Sequence, residues 1–141
     1  MRIMGLDLGK RRIGVAVSDE LGITAQAVGI IERGSFQEDL QAIQALVREY
    51  RVQEIVVGLP RHMSGRLGRE GEEMLAFGKE LEKHLNLPVV FWDERLSTVA
   101  AEKALIAGDL SRRRRRRVVD QLAASWILGG YLAWRQRSQG Q

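Results

Sequence analysis

Hydrophobic and polar residues alternate near the amino terminus of the chain, which is typical of strands with one buried face. In residues 11–18, Ile13, Val15 and Val17 alternate with polar or small residues. The pattern predicts three strands joined by short turns, over residues 2–8, 11–18 and 24–31. We expect these strands to pair as an antiparallel meander.

Beyond the third strand the apolar residues recur with helical spacing. Ser35 and Glu38 match a capping box, in which each side chain bonds the backbone N–H of the other residue, so a helix should begin here. The elements predicted after this helix are strands over 54–59 and 88–92, a helix between those strands, and a last long helix over 111–134. A shorter helix, capped by Ser97 or Thr98, should precede the last one.

The element order is therefore β-β-β-α-β-α-β-α-α. Strands that are reached through a helix imply parallel neighbours with right-handed crossovers. We predict an α/β fold in which a five-stranded mixed sheet, a three-stranded antiparallel meander plus two parallel strands, is flanked by helices on both faces. A length of 141 residues fits a single domain, which we assign to 1–135, followed by a polar tail over 136–141.

Composition narrows the class of protein. The chain has no cysteine, which excludes disulfides and thiolate metal sites and fits a reducing compartment. No segment approaches the roughly 20 apolar residues of a membrane span, and no signal peptide is indicated. We therefore expect a cytoplasmic protein that does not associate with membranes.

The positive charge is concentrated in one segment. The net charge is +4, and the six consecutive arginines Arg112–Arg117 more than account for it. Such a run is often a solvated charged surface, but a concentrated cationic patch also suggests a polyanionic partner, and we predict contact with nucleic-acid phosphates. The residues that we assign to nucleic-acid binding are Lys10, Arg11, Arg112, Arg113, Arg114, Arg116 and Arg117.

Three acidic residues are candidates for a metal site. In a sheet of this kind, functional residues gather at the carboxyl ends of the strands. Asp7 lies near the end of the first strand and Glu94 just past the end of the fifth. Asp120 lies in an apolar stretch of the last helix and would project toward the same edge. Clustered carboxylates repel one another, and a hard divalent cation such as Mg²⁺ relieves that repulsion.

Each acid also has a structural interpretation. Asp7 could bond the turn that follows it, and Glu94 could pair with Arg95 or cap the next helix. Asp93 is an alternative to Glu94 for the role in metal binding. Asp120 could pair with an arginine one turn earlier, although a cation that precedes its acid is the weaker order on a helix. Only their placement on one predicted edge favours metal binding, which would suit phosphodiester cleavage.

Four segments resemble a known family. In this order and spacing, GLDLGKRRIGVAVSD, VVGLP, DERLST and VVDQLAASWILGGYL resemble the bacterial YqgF family, the pre-16S rRNA nucleases also called Holliday-junction-resolvase-like proteins. The resemblance runs from residue 3 to about residue 134. It implies a ribonuclease-H-like fold and a nuclease that depends on one or two Mg²⁺ or Mn²⁺ ions, with catalytic and metal-binding positions at Asp7, Glu94 and Asp120.

The resemblance also implies a cytoplasmic protein that acts on the 5′ end of a ribosomal RNA precursor, whereas some members are linked to branched DNA. Related RuvC-type resolvases carry a further metal-binding acid or histidine where this chain has Ala123. The competing functions are therefore a Holliday-junction-type DNA resolvase and a non-catalytic RNA-binding assembly factor. A homodimer would suit a junction resolvase. An actin-like ATPase would need a second domain.

Overall fold

The computed structural model describes residues 1–60, 64–94 and 112–139, with the backbone alone at 112–117, 120 and 121. The strands are β1 (Arg2–Leu8), β2 (Arg12–Ser18), β3 (Ala25–Glu32), β4 (Val52–Leu59) and β5 (Val89–Asp93). The helices are α1 (Phe36–Tyr50), α2 (Gly68–Leu85) and α3 (Arg112–Gln139). The short helix predicted after Ser97 or Thr98 lies outside the described residues.

The strands form one sheet in the order β3-β2-β1-β4-β5. β2 pairs antiparallel with both β1 and β3, while β4 pairs parallel with both β1 and β5. This arrangement confirms the predicted mixed sheet, with its three-stranded meander and two further parallel strands. Because β1, β4 and β5 are parallel, their carboxyl ends lie at the same edge of the sheet.

Helices cover both faces of the sheet, as predicted. Even-numbered residues of β1 pack against α1 and α2, as do Val52, Ile55 and Val57 of β4, while Ile3 of β1 and Val56 of β4 pack against α3. The core beneath α1 and α2 includes Leu6, Ile13, Ile43, Ile55 and Leu81. The core beneath α3, which we call the α3 core, includes Ile3, Val56, Trp92, Ala124, Ile127, Leu128 and Tyr131.

The start of α1 matches its prediction, whereas α3 ends later than predicted. At α1, the Ser35 hydroxyl accepts from the Glu38 N–H at 3.2 Å and the Ser35 N–H donates to the Glu38 carboxylate at 3.1 Å, which confirms the capping box. Helix α3 instead continues through most of the predicted polar tail, to Gln139. The Gln136 amide donates to the Gly22 carbonyl at 3.3 Å and links this extension to the turn after β2.

None of the helices in the described part of the chain is both long enough and apolar enough to cross a membrane.

Candidate active site at the carboxyl ends of the strands

Asp7 lies on the face of β1 that α3 covers. Ile3 belongs to the α3 core, and the position that a Cβ would take on Gly5 is 2.8 Å from Cβ of Leu128. Because alternate side chains of a strand point to the same face, Asp7 points the same way as Ile3 and Gly5. Asp7 pairs with Gly14 of β2 and is half-buried. Its carboxylate is therefore directed to the α3 side of the sheet edge.

Glu94 reaches the same face from the end of β5. Its Oε1 atom is 2.9 Å from the position that a Cβ would take on Gly58, and that position is 2.6 Å from Cδ1 of Ile127 in α3. The register of β1 and β4 pairs Leu6 with Val57, and its continuation by one residue places Asp7 beside Gly58, about 5 Å away across the sheet. The structure therefore brings Asp7 and the Glu94 carboxylate together on one face, over neighbouring strands.

Asp93 points away from this face. Trp92, the residue before it on β5, is buried in the α3 core, so the alternation of the strand directs Asp93 toward the opposite face. Asp93 pairs with Leu59 at the last position of the parallel ladder. This geometry favours Glu94 over Asp93 as the acid that faces Asp7.

Helix α3 runs antiparallel to β1 and β4. Near the start of β4, the Tyr131 hydroxyl donates to Oε2 of Glu54 at 3.1 Å. Near the end of β4, Ile127 packs over Gly58. Lower-numbered residues of α3 therefore lie closer to the carboxyl ends of the strands, and the helix begins at the edge where Asp7 and Glu94 lie.

This direction places the backbone of Asp120 near Asp7. The Ala124 carbonyl oxygen is 3.0 Å from the Cβ position of Gly5, and Asp120 precedes Ala124 by one helical turn, about 6 Å along the axis. Asp7 follows Gly5 by about 6–7 Å along β1. The backbone of Asp120 therefore lies at about the same height as Asp7 along the strand direction, on the face of α3 that also carries Ala124. The side chain of Asp120 lies outside the described atoms.

The described acids supply part of a metal site. No three acidic or histidine side chains in the described part of the structure, to which the Asp120 side chain does not belong, lie close enough together to hold a metal ion. Asp7 and Glu94 do offer carboxylate oxygens, the ligand type that Mg²⁺ prefers. Ala123, where the resemblance implied a further ligand in related resolvases, is fully buried and offers no ligand atom.

Basic residues lie at the same edge. Lys10 and Arg11 are exposed in the turn between β1 and β2, directly beyond the end of the strand that carries Asp7. The arginine run forms the first turns of α3, as predicted, and this end of the helix lies toward the carboxyl ends of the strands. Lys10, Arg11 and the backbone of the arginine run thus lie toward the edge of the sheet that carries Asp7 and Glu94.

Sequence reasoning missed two glycines that shape this site. Gly5 allows α3 to pack directly on β1, and Gly58 leaves the space that Ile127 and the Glu94 carboxylate fill. The available signal was their position inside otherwise apolar strands, because a glycine within a strand often marks a close approach of another group.

Glu54 lies at the opposite end of the sheet and contacts two side chains of α3. Besides the Tyr131 hydroxyl, it faces Arg135, whose Nη1 is 3.7 Å from Oε2 of Glu54. Burial raises the pKa of Tyr131. This pKa is raised further by the negative charge of Glu54 and by the hydrogen bond to it, and it is lowered by the positive charge of Arg135. The contacts anchor the carboxyl-terminal half of α3 to β4.

Comparison with protein families gives a match over most of the chain. A family model described as "RuvX: Holliday junction resolvase" matches residues 1–134. A relative from Moorella thermoacetica, named "Putative pre-16S rRNA nuclease", is 57% identical over 132 residues and 94% of both chains. A relative of the same name from Carboxydothermus hydrogenoformans is 49% identical over 138 residues, 98% of this chain and all of the relative.

Solved structures show the same fold at low sequence identity. Thermus thermophilus RuvC in complex with a Holliday junction substrate superposes with a TM-score of 0.58, at 14% identity over 96% of both chains. The fowlpox virus Holliday junction resolvase gives a TM-score of 0.54, at 15% identity over 95% of this chain and 99% of the resolvase. These likenesses confirm the ribonuclease-H-like fold.

Proposed function

The chain belongs to the RuvX family of Holliday junction resolvases, and from this premise we propose that it is a divalent-metal-dependent nuclease that processes the 5′ end of pre-16S rRNA. The names of its relatives support the substrate. The single observation that carries the proposal is the convergence of two carboxylates: Asp7 and Glu94 face α3 over the neighbouring strands β1 and β4.

Asp7, Glu94 and Asp120 are the residues that would hold the metal. When bound, one or two Mg²⁺ or Mn²⁺ ions would supply a water of lowered pKa and neutralise charge that develops on the phosphate. The donor set fits such an ion, because carboxylates are hard oxygen ligands and the glycine at 58 leaves room for one of them. The chain's own contribution is to hold these acids in one orientation on rigid strands.

The basic residues would bind and orient the substrate. Lys10 and Arg11 extend beyond the end of β1, and Arg112, Arg113, Arg114, Arg116 and Arg117 begin α3. Contacts of arginine and lysine with phosphates fix the register of a nucleic acid without reading its bases. They would therefore hold RNA or DNA backbone across the edge that carries the acids.

Branched DNA is the second candidate substrate, and the family description favours it. A four-way junction has two-fold symmetry, so this function would be served by a homodimer, which sedimentation analysis with and without a junction can detect. A chain that binds RNA without cutting it would instead be an assembly factor.

The deciding experiment compares both substrates side by side. End-labelled pre-16S rRNA and a labelled four-way DNA junction are incubated with the protein in Mn²⁺, in Mg²⁺ and with chelator. We expect cleavage near the 5′ end of the rRNA precursor that chelator abolishes. Cleavage of the junction alone would select the resolvase function, and binding without cleavage of either substrate would overturn the nuclease proposal.

Variants of single acids assign the site. Asp7→Asn should abolish cleavage without lowering the free energy of unfolding, because it removes a charge from a cluster of like charges. Glu49→Gln is the matched control, since Glu49 is exposed near the end of α1 and far from this edge. Full activity in Asp7→Asn would refute the assignment of that residue.

A further inference from the structure

Arg33 holds both ends of the turn that follows the candidate active-site strand. Its side-chain Nη1 donates to the Gly9 carbonyl at 2.7 Å, and its backbone N–H donates to the Arg11 carbonyl at 2.9 Å. The turn itself is closed by the Gly9 N–H, which donates to the Arg12 carbonyl at 2.9 Å. Arg33, the residue directly after β3, therefore fixes the β1–β2 turn, which begins two residues after Asp7.

The guanidinium of Arg33 is itself fixed. Its Nε atom is 3.4 Å from Oδ2 of Asp39, a carboxylate that is only 1% exposed, and its Cζ lies 5.2 Å from the centre of the Phe77 ring. The other oxygen of Asp39 accepts from the Gly34 N–H at 2.9 Å. Arg33 is thus held by α1 through Asp39 and by α2 through Phe77. Its bond to Gly9 therefore fixes the position of the turn relative to these two helices.

We propose that Arg33 is a positioning residue, which sets the orientation of Asp7 by immobilising the β1–β2 turn, and that Asp39 in turn orients Arg33. The proposal rests on the proposed function, because it gives Asp7 a role in metal binding. Removal of a group that orients a metal ligand without itself contacting the metal commonly lowers metal affinity or activity by about 10–100-fold. Arg33 acts in this way through the backbone of the turn.

A direct role in substrate binding is the alternative. Arg33 and Lys10 both line a groove of about 690 Å³ between the turn and α2. The two roles predict different kinetics. A residue that binds phosphate changes KM and the salt dependence of binding, whereas a residue that positions a metal ligand changes metal affinity and kcat.

The experiment measures three quantities in Arg33→Ala, Arg33→Lys and Asp39→Asn. Calorimetry gives the dissociation constant for Mn²⁺ without nucleic acid, hydrogen exchange gives the protection of the Gly9 amide, and cleavage assays give kcat and KM. Arg33→Ala should weaken Mn²⁺ binding about tenfold or more, reduce Gly9 protection and lower kcat, with KM nearly unchanged. In Arg33→Lys, the Mn²⁺ affinity, the Gly9 protection and kcat should all fall less than in Arg33→Ala, because the lysine amine can still reach the Gly9 carbonyl.

Lys10→Ala is the matched control. Lys10 is exposed in the same turn, and its loss should raise KM without changing Mn²⁺ affinity or Gly9 protection. If Arg33→Ala fails to fold, Arg33→Lys and Asp39→Asn carry the test. Wild-type affinity for Mn²⁺ in all folded Arg33 and Asp39 variants would overturn the positioning role alone, whereas a wild-type chain that binds no Mn²⁺ would overturn the proposed function beneath it.

Discussion

The position that a Cβ would take on Gly58 is 2.9 Å from Oε1 of Glu94. Non-bonded carbon and oxygen atoms do not pack so closely, so any side chain at residue 58 must displace this carboxylate or the neighbouring Ile127. Gly58 lies on β4, between the strands that lead to Asp7 and Glu94. The absence of a side chain on Gly58 is therefore what leaves room for the Glu94 carboxylate over β4, beside the strand that carries Asp7.

Gly58→Ala should accordingly disable the proposed nuclease. The added methyl would move Glu94 by the order of 1 Å, and a misplacement of that size can cost about 10²-fold in rate. Overpacking against Ile127 should also destabilise the fold by about 1–3 kcal/mol. Cleavage assays and urea denaturation measure the two effects separately.

Gly29→Ala is the control for that variant, since a methyl on Gly29, in β3, would meet nothing within 4 Å. It should keep both activity and stability. Wild-type turnover in Gly58→Ala would show that the position of Glu94 does not matter for cleavage.

A second glycine sets the distance between α3 and the sheet. A methyl on Gly5 would lie 2.8 Å from Cβ of Leu128 and 3.0 Å from the Ala124 carbonyl, and neither atom belongs to a flexible side-chain end. Gly5→Ala should therefore push the helix away and lower the free energy of unfolding by about 1–3 kcal/mol. Because α3 also carries Asp120, we expect cleavage to fall in the same variant under conditions where it remains folded.

The control lies on the helix itself. Gly129 has open space around its Cβ position, so Gly129→Ala should raise stability by up to about 1 kcal/mol through helix propensity. Denaturation curves in which Gly5→Ala is as stable as Gly129→Ala would contradict the close packing of β1 on α3.

Local patterns explain why much of this fold could be predicted. The alternation of Ile13, Val15 and Val17 specified a strand, and Ser35 with Glu38 specified the start of α1, because both signals depend on neighbouring residues alone. The candidate acid Asp7 was noticeable for a similar reason, as a charge near the end of an apolar strand.

Contacts between distant segments explain what the sequence did not reveal. The bond from Arg33 to Gly9 joins residues 24 positions apart, and the bond from Gln136 to Gly22 joins residues 114 positions apart. The second contact lies in the extension of α3, where polar composition had suggested a tail. No local periodicity encodes such pairs, since they arise only after the sheet and helices have packed.

The Tyr131–Glu54 contact predicts a loss of stability at alkaline pH. Burial and the Glu54 carboxylate raise the pKa of Tyr131 in the folded chain, so the folded state retains the phenol proton more tightly than the unfolded state. The stabilisation of the folded state by protonated Tyr131 should be fully present below about pH 10, the pKa of an unperturbed tyrosine. It should be lost as pH rises through the raised pKa.

Guanidinium denaturation from pH 8 to pH 11 measures this effect in wild type and Tyr131→Phe. The variant should be less stable by about 1 kcal/mol at pH 8, because a partly buried hydrogen bond is lost, and the difference should shrink as pH rises. Glu54→Gln should reduce the pH dependence, and Glu49→Gln should leave it unchanged. A constant difference between wild type and Tyr131→Phe would contradict the raised pKa.

The arginine run predicts how nucleic-acid binding depends on salt. If Arg113 and Arg117 each contact one phosphate, the double variant Arg113→Gln/Arg117→Gln should reduce the slope of log affinity against log salt by about 1.4–1.8. Removing cations from the first turns of α3 should also leave stability unchanged or raise it, since such charges oppose the helix macrodipole. Fluorescence anisotropy with labelled rRNA precursor at several salt concentrations gives the slope.

The matched control removes the same charge elsewhere. Arg48 and Arg137 are exposed, near the end of α1 and in the last turn of α3, and both lie away from the carboxyl ends of the strands. Arg48→Gln/Arg137→Gln should therefore leave the slope almost unchanged, because only cations that displace counterions from bound phosphates contribute to it. Equal slopes in the two double variants would mean that binding follows net charge alone, and that the start of α3 is no phosphate-binding site.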